Sequence, residues 1–153
     1  MTDRSIRGYG SLWLVLVLGF ALRVAYVFEI DQSPLFVYPA VDSETYTHQA
    51  ERIAAGNWLY AGQGPFWQPP LYPYVLAAFK TLFPDWFFHV VRLFQALLGA
   101  LVCGMAWWIG RYLFNGTVGL IAGTLVALSG SLIFFDGELL PASLATFLNM
   151  AAL

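Results

Sequence analysis

The sequence predicts an all-α, polytopic membrane protein, and two observations carry that prediction. Hydrophobic residues make up 59% of the 153 residues and charged residues only 10%, whereas soluble domains carry roughly 25% charged residues. Uncharged runs of membrane-spanning length also recur along the chain. The net charge of −2 excludes an electrostatic nucleic-acid binder. The single cysteine, Cys103, excludes a disulfide framework.

Four stretches are predicted to enter the membrane as helices, at about residues 12–30, 90–110, 117–135 and 139–153. The third would form about 28 Å of helix at ~1.5 Å per residue, close to the ~30 Å hydrocarbon core. The fourth stops at Leu153 after about 22 Å of helix. We therefore expect residues 1–153 to be the amino-terminal part of a larger transmembrane domain, cut off inside its fourth span.

A long outer loop, residues 31–89, is predicted between the first two spans. Its apolar segment Leu71–Phe83 gives only about 20 Å of helix, so we expect it to be re-entrant or to lie along the interface. Arg4 and Arg7 precede the first span, which places the amino terminus in the cytoplasm by the positive-inside rule. The loop and the turn Asp136–Glu138 then share the outer side of a multi-pass protein, which we expect in a bacterial or archaeal plasma membrane.

The outer loop contains a predicted helix over Asp42–Gly56 that begins with two acids. Asp42 fits an N-cap, worth ~1 kcal/mol, as well as it fits a catalytic carboxylate. Glu44 fits a first-turn acid stabilised by the helix dipole more readily than a chemical role. His48 lies one turn from Glu44 and one from Arg52, which is typical of a solvated helix face rather than of a metal ligand.

A second acidic segment, Phe134–Pro141, follows the third predicted span and contains Asp136 and Glu138. The simplest interpretation is a polar turn between spans, with Glu138 at the start of the next helix. A functional interpretation requires this turn to face the same cavity as Asp42. Arg23, a charge inside the first span, is predicted either to face an interior cavity or to extend toward the interface.

Six pieces of sequence follow one another from about Gly19 to the end of the chain: FALRVAYVF, VDSETY, WQPPLYPYVLAAFKTLFP, VRLFQALLGAL, IGRYLFNGTVGLIAGTL and FFDGELLPASL. In this order they resemble the GT-C superfamily of polyprenyl-phosphate-sugar-dependent glycosyltransferases. The chain is most similar to glycosyltransferase family 39, the protein-mannosyltransferase and aminoarabinose-transferase type. No piece is specific alone, so the order and spacing carry the resemblance.

The resemblance implies that a sugar is transferred from polyprenyl phosphate to a protein, lipid or glycan acceptor on the outer face. Asp42 matches the catalytic carboxylate and would act as general base, with Glu44 assisting. Glu138, or else Asp136, would position the acceptor or, in some members, a divalent metal. Positive charge at the leaving lipid phosphate lowers the barrier. Three cations are candidates for that role: Lys80, Arg92 and Arg23.

The chain departs from the family pattern at two positions, and two other functions are compatible with the sequence. Aminoarabinose-type members carry a Lys before the Pro-Pro pair and an Arg three residues after the catalytic Asp, where this chain has Gln68 and Thr45. The match therefore lacks residues that accompany a lipid A acceptor. Full-length members also have many more spans, so the resemblance implies that residues 1–153 alone are inactive. The alternatives are a multi-pass transporter or lipid flippase, which predicts acids near the bilayer midplane, and a non-catalytic membrane scaffold.

Overall fold

All regular structure is helical in residues 3–59 and 68–153, the part of the chain that the computed structural model describes. The predicted all-α class is confirmed. The outer-loop residues 60–67, including Trp67 of the WQPPLY piece, lie outside the described residues. A short 3₁₀ helix, Pro34–Phe36, connects α1 to α2. The helices are α1 (Asp3–Ile30), α2 (Asp42–Ala54), α3 (Leu71–Leu82), α4 (Phe87–Leu113), α5 (Gly116–Ala127), α6 (Gly130–Gly137) and α7 (Ala142–Ala151).

Two helices are long and apolar enough to cross a membrane. They are Gly10–Ile30 of α1, with a mean hydropathy of 2.1, and α4, with a mean hydropathy of 1.7. Helices α5 and α6 form a third candidate span if the bent pair is taken as one crossing. The described residues thus contain two or three candidate spans, and the chain is a helical integral membrane protein.

The third predicted span is two helices rather than one. Helices α5 and α6 meet at an angle of 50°, with Ser129 between them at the start of α6. Ser and Gly have low helix propensity, and adjacent Gly and Ser residues are common at kinks, so Ser129-Gly130 accounts for the break. The bend matters for the site because α6 packs against both α1 and α4.

Helices α2 and α3 pack on each other at the end of the bundle where α4 begins. Gly56, with φ +101°, follows α2 in the left-handed conformation that ends many helices, as its sequence position predicts. Helix α3 has 12 residues, about 18 Å, which is too short to cross a ~30 Å hydrocarbon core. The apolar core at this end includes Tyr46, Ile53, Tyr72, Leu76, Phe87 and Leu139.

Small residues let α5 approach α4 and α1 closely. A Cβ on Gly119 would lie 2.6 Å from the Trp107 carbonyl oxygen, and one on Gly123 would lie 2.8 Å from Val15 Cγ1. Close backbone approach of this kind is the main source of helix association in lipid, where no hydrophobic force acts between helices.

We expect Gly119→Ala to destabilise the protein by about 1–3 kcal/mol, because the added methyl collides with backbone atoms that cannot move independently. The matched control is Gly10→Ala in α1, where nothing lies within 4 Å of the added atom. Unfolding in detergent micelles compares the two. Equal stability of both variants would show that α4 and α5 are not packed this closely.

Candidate active site

The end of α6 is held by three buried polar side chains, each bonded to one of three consecutive residues. Arg23 Nε donates to Asp136 Oδ2 at 2.6 Å. Arg92 Nε donates to the Gly137 carbonyl oxygen at 2.7 Å, and Gln95 Nε2 donates to the Glu138 carbonyl oxygen at 2.6 Å. The last carbonyls of a helix have no partner within the helix, so Arg92 and Gln95 supply donors where α6 ends, while Arg23 holds the Asp136 side chain.

The ion pair between Arg23 and Asp136 lies inside the helix bundle. Arg23 is 1% exposed and Asp136 6%, and Arg23 Nη1 also donates to the Gly19 carbonyl oxygen at 3.0 Å. Gly99 makes room for the pair, because a Cβ there would collide with both Arg23 Nε and Asp136 Oδ2. Asp136 was expected in a surface turn, whereas it lies within α6 and is buried, which its pairing with Arg23 makes possible.

Arg92 links α6 to the 3₁₀ helix and to its own helix. Besides Gly137, it donates through Nη1 to the Phe88 carbonyl oxygen at 3.2 Å. Its guanidinium carbon lies 3.9 Å from the centroid of the Phe36 ring, a cation–π contact. Arg92 also lines a cavity of about 90 Å³ together with Glu138 and Ser33.

Glu138 and Asp42 line one cavity of about 210 Å³, together with Val41, Phe134 and Leu140; we call it the carboxylate cavity. Glu138 was expected at the start of the fourth helix, but it is the residue that ends α6, and α7 begins only at Ala142. Because Glu138 lines both the carboxylate cavity and the Arg92 cavity, it stands between Asp42 and a buried cation.

Asp42 is the first residue of α2, and its backbone position depends on Val41. Val41 occupies the cap position with no side-chain cap bond, so Asp42 does not cap the helix. Val41 has φ 57°, which is rare for a β-branched residue and costs about 1–3 kcal/mol. Such strain is found where the surrounding structure enforces a conformation, and here it sets the entry of α2 at an exposed acid.

Glu44 and Lys80 line a different cavity, of about 390 Å³, with His48 and Glu51. His48 lies 3.6 Å from Glu44 and 3.5 Å from Glu51, and Lys80 Nζ lies 3.5 Å from Glu51. The structure therefore separates Glu44 from Asp42 and places it with Lys80. No group of three His, Cys, Asp or Glu side chains among the described residues is arranged to hold a metal ion.

Two buried tyrosines, Tyr46 on α2 and Tyr72 on α3, are held in the neutral form. Burial raises the pKa of Tyr72 far above the usual range for tyrosine. Burial, and secondarily the negative charge of Asp42, raises the pKa of Tyr46. Both hydroxyls therefore keep their protons at neutral pH, and that of Tyr72 donates to Gln95 Oε1 at 3.0 Å.

The sequence interpretation missed Gln95, Tyr72 and Gly99. Gln95 carried a usable signal, because an amide inside an apolar span needs hydrogen-bond partners. Nothing in the local sequence marks Gly99 or Tyr72, whose roles depend on contacts between distant helices.

The fold and the site define a class: a helical membrane protein with two carboxylates facing one cavity at the end of its spanning helices. The model of the family described as dolichyl-phosphate-mannose-protein mannosyltransferase matches residues 67–152, more than half of the chain. The chain belongs to this family, and the resemblance to GT-C glycosyltransferases is confirmed. The match includes Arg92, Asp136 and Glu138 but begins after Asp42. No curated protein and no solved structure matches the chain significantly.

Proposed function

We propose that this protein transfers a glycosyl group from a polyprenyl-phosphate sugar to an acceptor on the outer face of the membrane, with Asp42 as the general base. The family acts in general on such donors. The observation that carries the proposal is the carboxylate cavity, which Asp42 and Glu138 both line although they belong to different elements far apart in sequence.

The proposed reaction is a displacement at the anomeric carbon of the sugar. A hydroxyl or amine of the acceptor attacks that carbon and loses its proton to the Asp42 carboxylate. The bond between the anomeric carbon and the phosphate oxygen breaks, and polyprenyl phosphate leaves with the bonding electron pair. Asp42 is exposed in the carboxylate cavity, so an acceptor can reach it from outside the bundle.

We assign Glu138 to acceptor positioning, because its carboxylate lines the same cavity as Asp42. Asp136 is already engaged with Arg23, so its role is to hold α6. This arrangement supports the sequence-based choice of Glu138 over Asp136. Glu44 lines the cavity of Lys80, so it would assist by acting on groups bound in that cavity and not on the proton that Asp42 accepts.

Arg92 is the cation that the geometry favours for the leaving phosphate. It lines a cavity with Glu138, next to the carboxylate cavity, and its described hydrogen bonds go to carbonyl oxygens rather than to a carboxylate. Lys80 Nζ lies 3.5 Å from Glu51, and Arg23 is paired with Asp136. We therefore rank Arg92 before Lys80 and Arg23 for this role.

A transfer assay with the full-length protein in liposomes tests the proposal. The donor is polyprenyl phosphate carrying tritiated mannose, and peptides rich in hydroxyl side chains, lipids and glycans are supplied in turn as acceptors. We expect label to move from the carrier to one acceptor class, with release of polyprenyl phosphate. Donor that crosses the bilayer without losing its label would favour a lipid flippase instead, and would contradict glycosyl transfer.

The orientation is part of the same proposal. We place the amino terminus of a multi-pass protein in the cytoplasm and the carboxylate cavity at the outer face of a bacterial or archaeal plasma membrane. The basic residues Arg4 and Arg7 before the first span support this orientation.

A further inference from the structure

A continuous series of contacts leads from the helix of Asp42 to the backbone of Glu138. Tyr46 lies one turn after Asp42 on α2, and its ring meets the Tyr72 ring edge-on with centroids 5.3 Å apart. The Tyr72 hydroxyl donates to Gln95 Oε1 at 3.0 Å. Gln95 Nε2 donates to the Glu138 carbonyl oxygen at 2.6 Å. Three helices, α2, α3 and α4, are thus linked to the turn that carries the second acid.

The amide of Gln95 has its orientation fixed by its partners. Its oxygen accepts from Tyr72, and its nitrogen donates to the Glu138 carbonyl oxygen and, at 3.4 Å, to Ser143 Oγ. Gln95 is 1% exposed. Rotating the amide would place its oxygen against the Glu138 carbonyl and its nitrogen against the hydroxyl, leaving the carbonyl without its donor.

Tyr72 is suited to a fixed donor role. It is 2% exposed and belongs to the apolar core at this end of the molecule. Burial raises its pKa, so the hydroxyl keeps its proton and donates to Gln95 at all physiological pH values. A hydrogen bond between two buried groups is strengthened by the low local dielectric, which makes the Gln95 geometry well defined.

We propose that Gln95 and Tyr72 are positioning residues for glycosyl transfer, which set the Glu138 carboxylate opposite Asp42 in the carboxylate cavity. The effect on glycosyl transfer rests on the proposed function, whereas the positioning of Glu138 by Gln95 and Tyr72 does not. Neither side chain touches the reacting atoms. Each acts through the backbone of Glu138, so each determines the position of the Glu138 carboxylate and not its chemical role.

Tyr72→Phe tests the inference, because it removes only the hydroxyl and keeps the ring against Tyr46. We expect kcat to fall by about three- to tenfold while the KM for the donor is unchanged, since Gln95 loses the partner that orients it. The matched control is Tyr74→Phe, on the same helix. Its hydroxyl donates to the Trp58 carbonyl oxygen and not to Gln95, so kcat should stay within twofold of the wild type.

A distance measurement gives a readout that does not depend on activity. Spin labels are placed by Ala40→Cys and Glu138→Cys in a Cys103→Ser background, with and without Tyr72→Phe. We expect the distance distribution to broaden with Tyr72→Phe and to stay narrow with Tyr74→Phe. A general loss of stability would broaden both.

The outcomes separate the inference from the proposed function. A lower kcat together with a broader distribution supports positioning. A distance distribution that Tyr72→Phe leaves unchanged overturns the inference, whatever happens to kcat. If the wild type transfers sugar, an unchanged kcat for Tyr72→Phe also overturns it. If the wild type transfers no sugar, the proposed function fails, and the reaction part of the inference fails with it. The distance distributions then still decide whether Tyr72 and Gln95 fix the position of Glu138.

Discussion

Asp42→Asn in the full-length protein is expected to lower kcat for glycosyl transfer by about 10²- to 10⁴-fold, the usual contribution of a general base. Asparagine fills nearly the same volume but cannot accept the proton of the acceptor. The KM for the donor should change little, because Asp42 lines the carboxylate cavity and not the cavity of Arg92. Steady-state transfer from polyprenyl-phosphate sugar in liposomes measures both parameters.

The matched control for this substitution is Asp85→Asn. Asp85 is an exposed aspartate in the short link between α3 and α4, and it lines none of the cavities described above. Its replacement makes the same chemical change at the same end of the molecule and should leave kcat within twofold of the wild type. Wild-type transfer by Asp42→Asn would remove Asp42 from the mechanism.

Breaking the buried ion pair is expected to produce the largest change in stability. Arg23→Leu leaves Asp136 buried without its cation, and Asp136→Leu leaves Arg23 without its anion. Each should lower the free energy of unfolding by about 3–5 kcal/mol. The pair lies at 2.6 Å with both side chains at most 8% exposed, so the charge that is left behind is largely removed from water. Unfolding in detergent micelles measures the change.

The double variant Arg23→Leu/Asp136→Leu distinguishes an ion pair from two independent packing residues. With both charges absent, neither group is left unpaired, so the double variant should be more stable than either single variant. The exposed pair of Lys80 and Glu51, at 3.5 Å, serves as control, and its loss should cost at most about 1 kcal/mol. A double variant as unstable as the sum of the single variants would show that the pair contributes no coupling.

The sequence predicts the parts of this molecule that depend on local pattern. Apolar runs between charges identify α1 and α4 as candidate spans, the position of Asp42 predicts the start of α2, and Gly56 predicts its end. Each of these features depends on residues within a few turns of one another, so periodicity and composition are sufficient.

The sequence does not predict the features that depend on contacts between distant helices. Asp136 is separated from Arg23 by 113 positions, and no local pattern distinguishes a buried, paired acid from a solvated turn residue. The bend at Ser129-Gly130 falls in an uncharged run, where hydropathy is the same for one helix or two. The sequence-based preference for Glu138 over Asp136 rested on an expected helix start at Glu138, whereas Glu138 follows the end of α6. The support for Glu138 comes instead from the carboxylate cavity, which it lines with Asp42.

The central claim is that Asp42 and Glu138 share a cavity at the outer face of the membrane. Single cysteines are introduced in a Cys103→Ser background by Asp42→Cys, by Glu138→Cys and, at the exposed Tyr112 of the opposite end, by Tyr112→Cys. Intact cells that carry each variant are treated with a membrane-impermeant maleimide. We expect labelling at positions 42 and 138 without permeabilisation, and at position 112 only after it. Labelling of 42 and 138 from opposite sides of the membrane would contradict the claim.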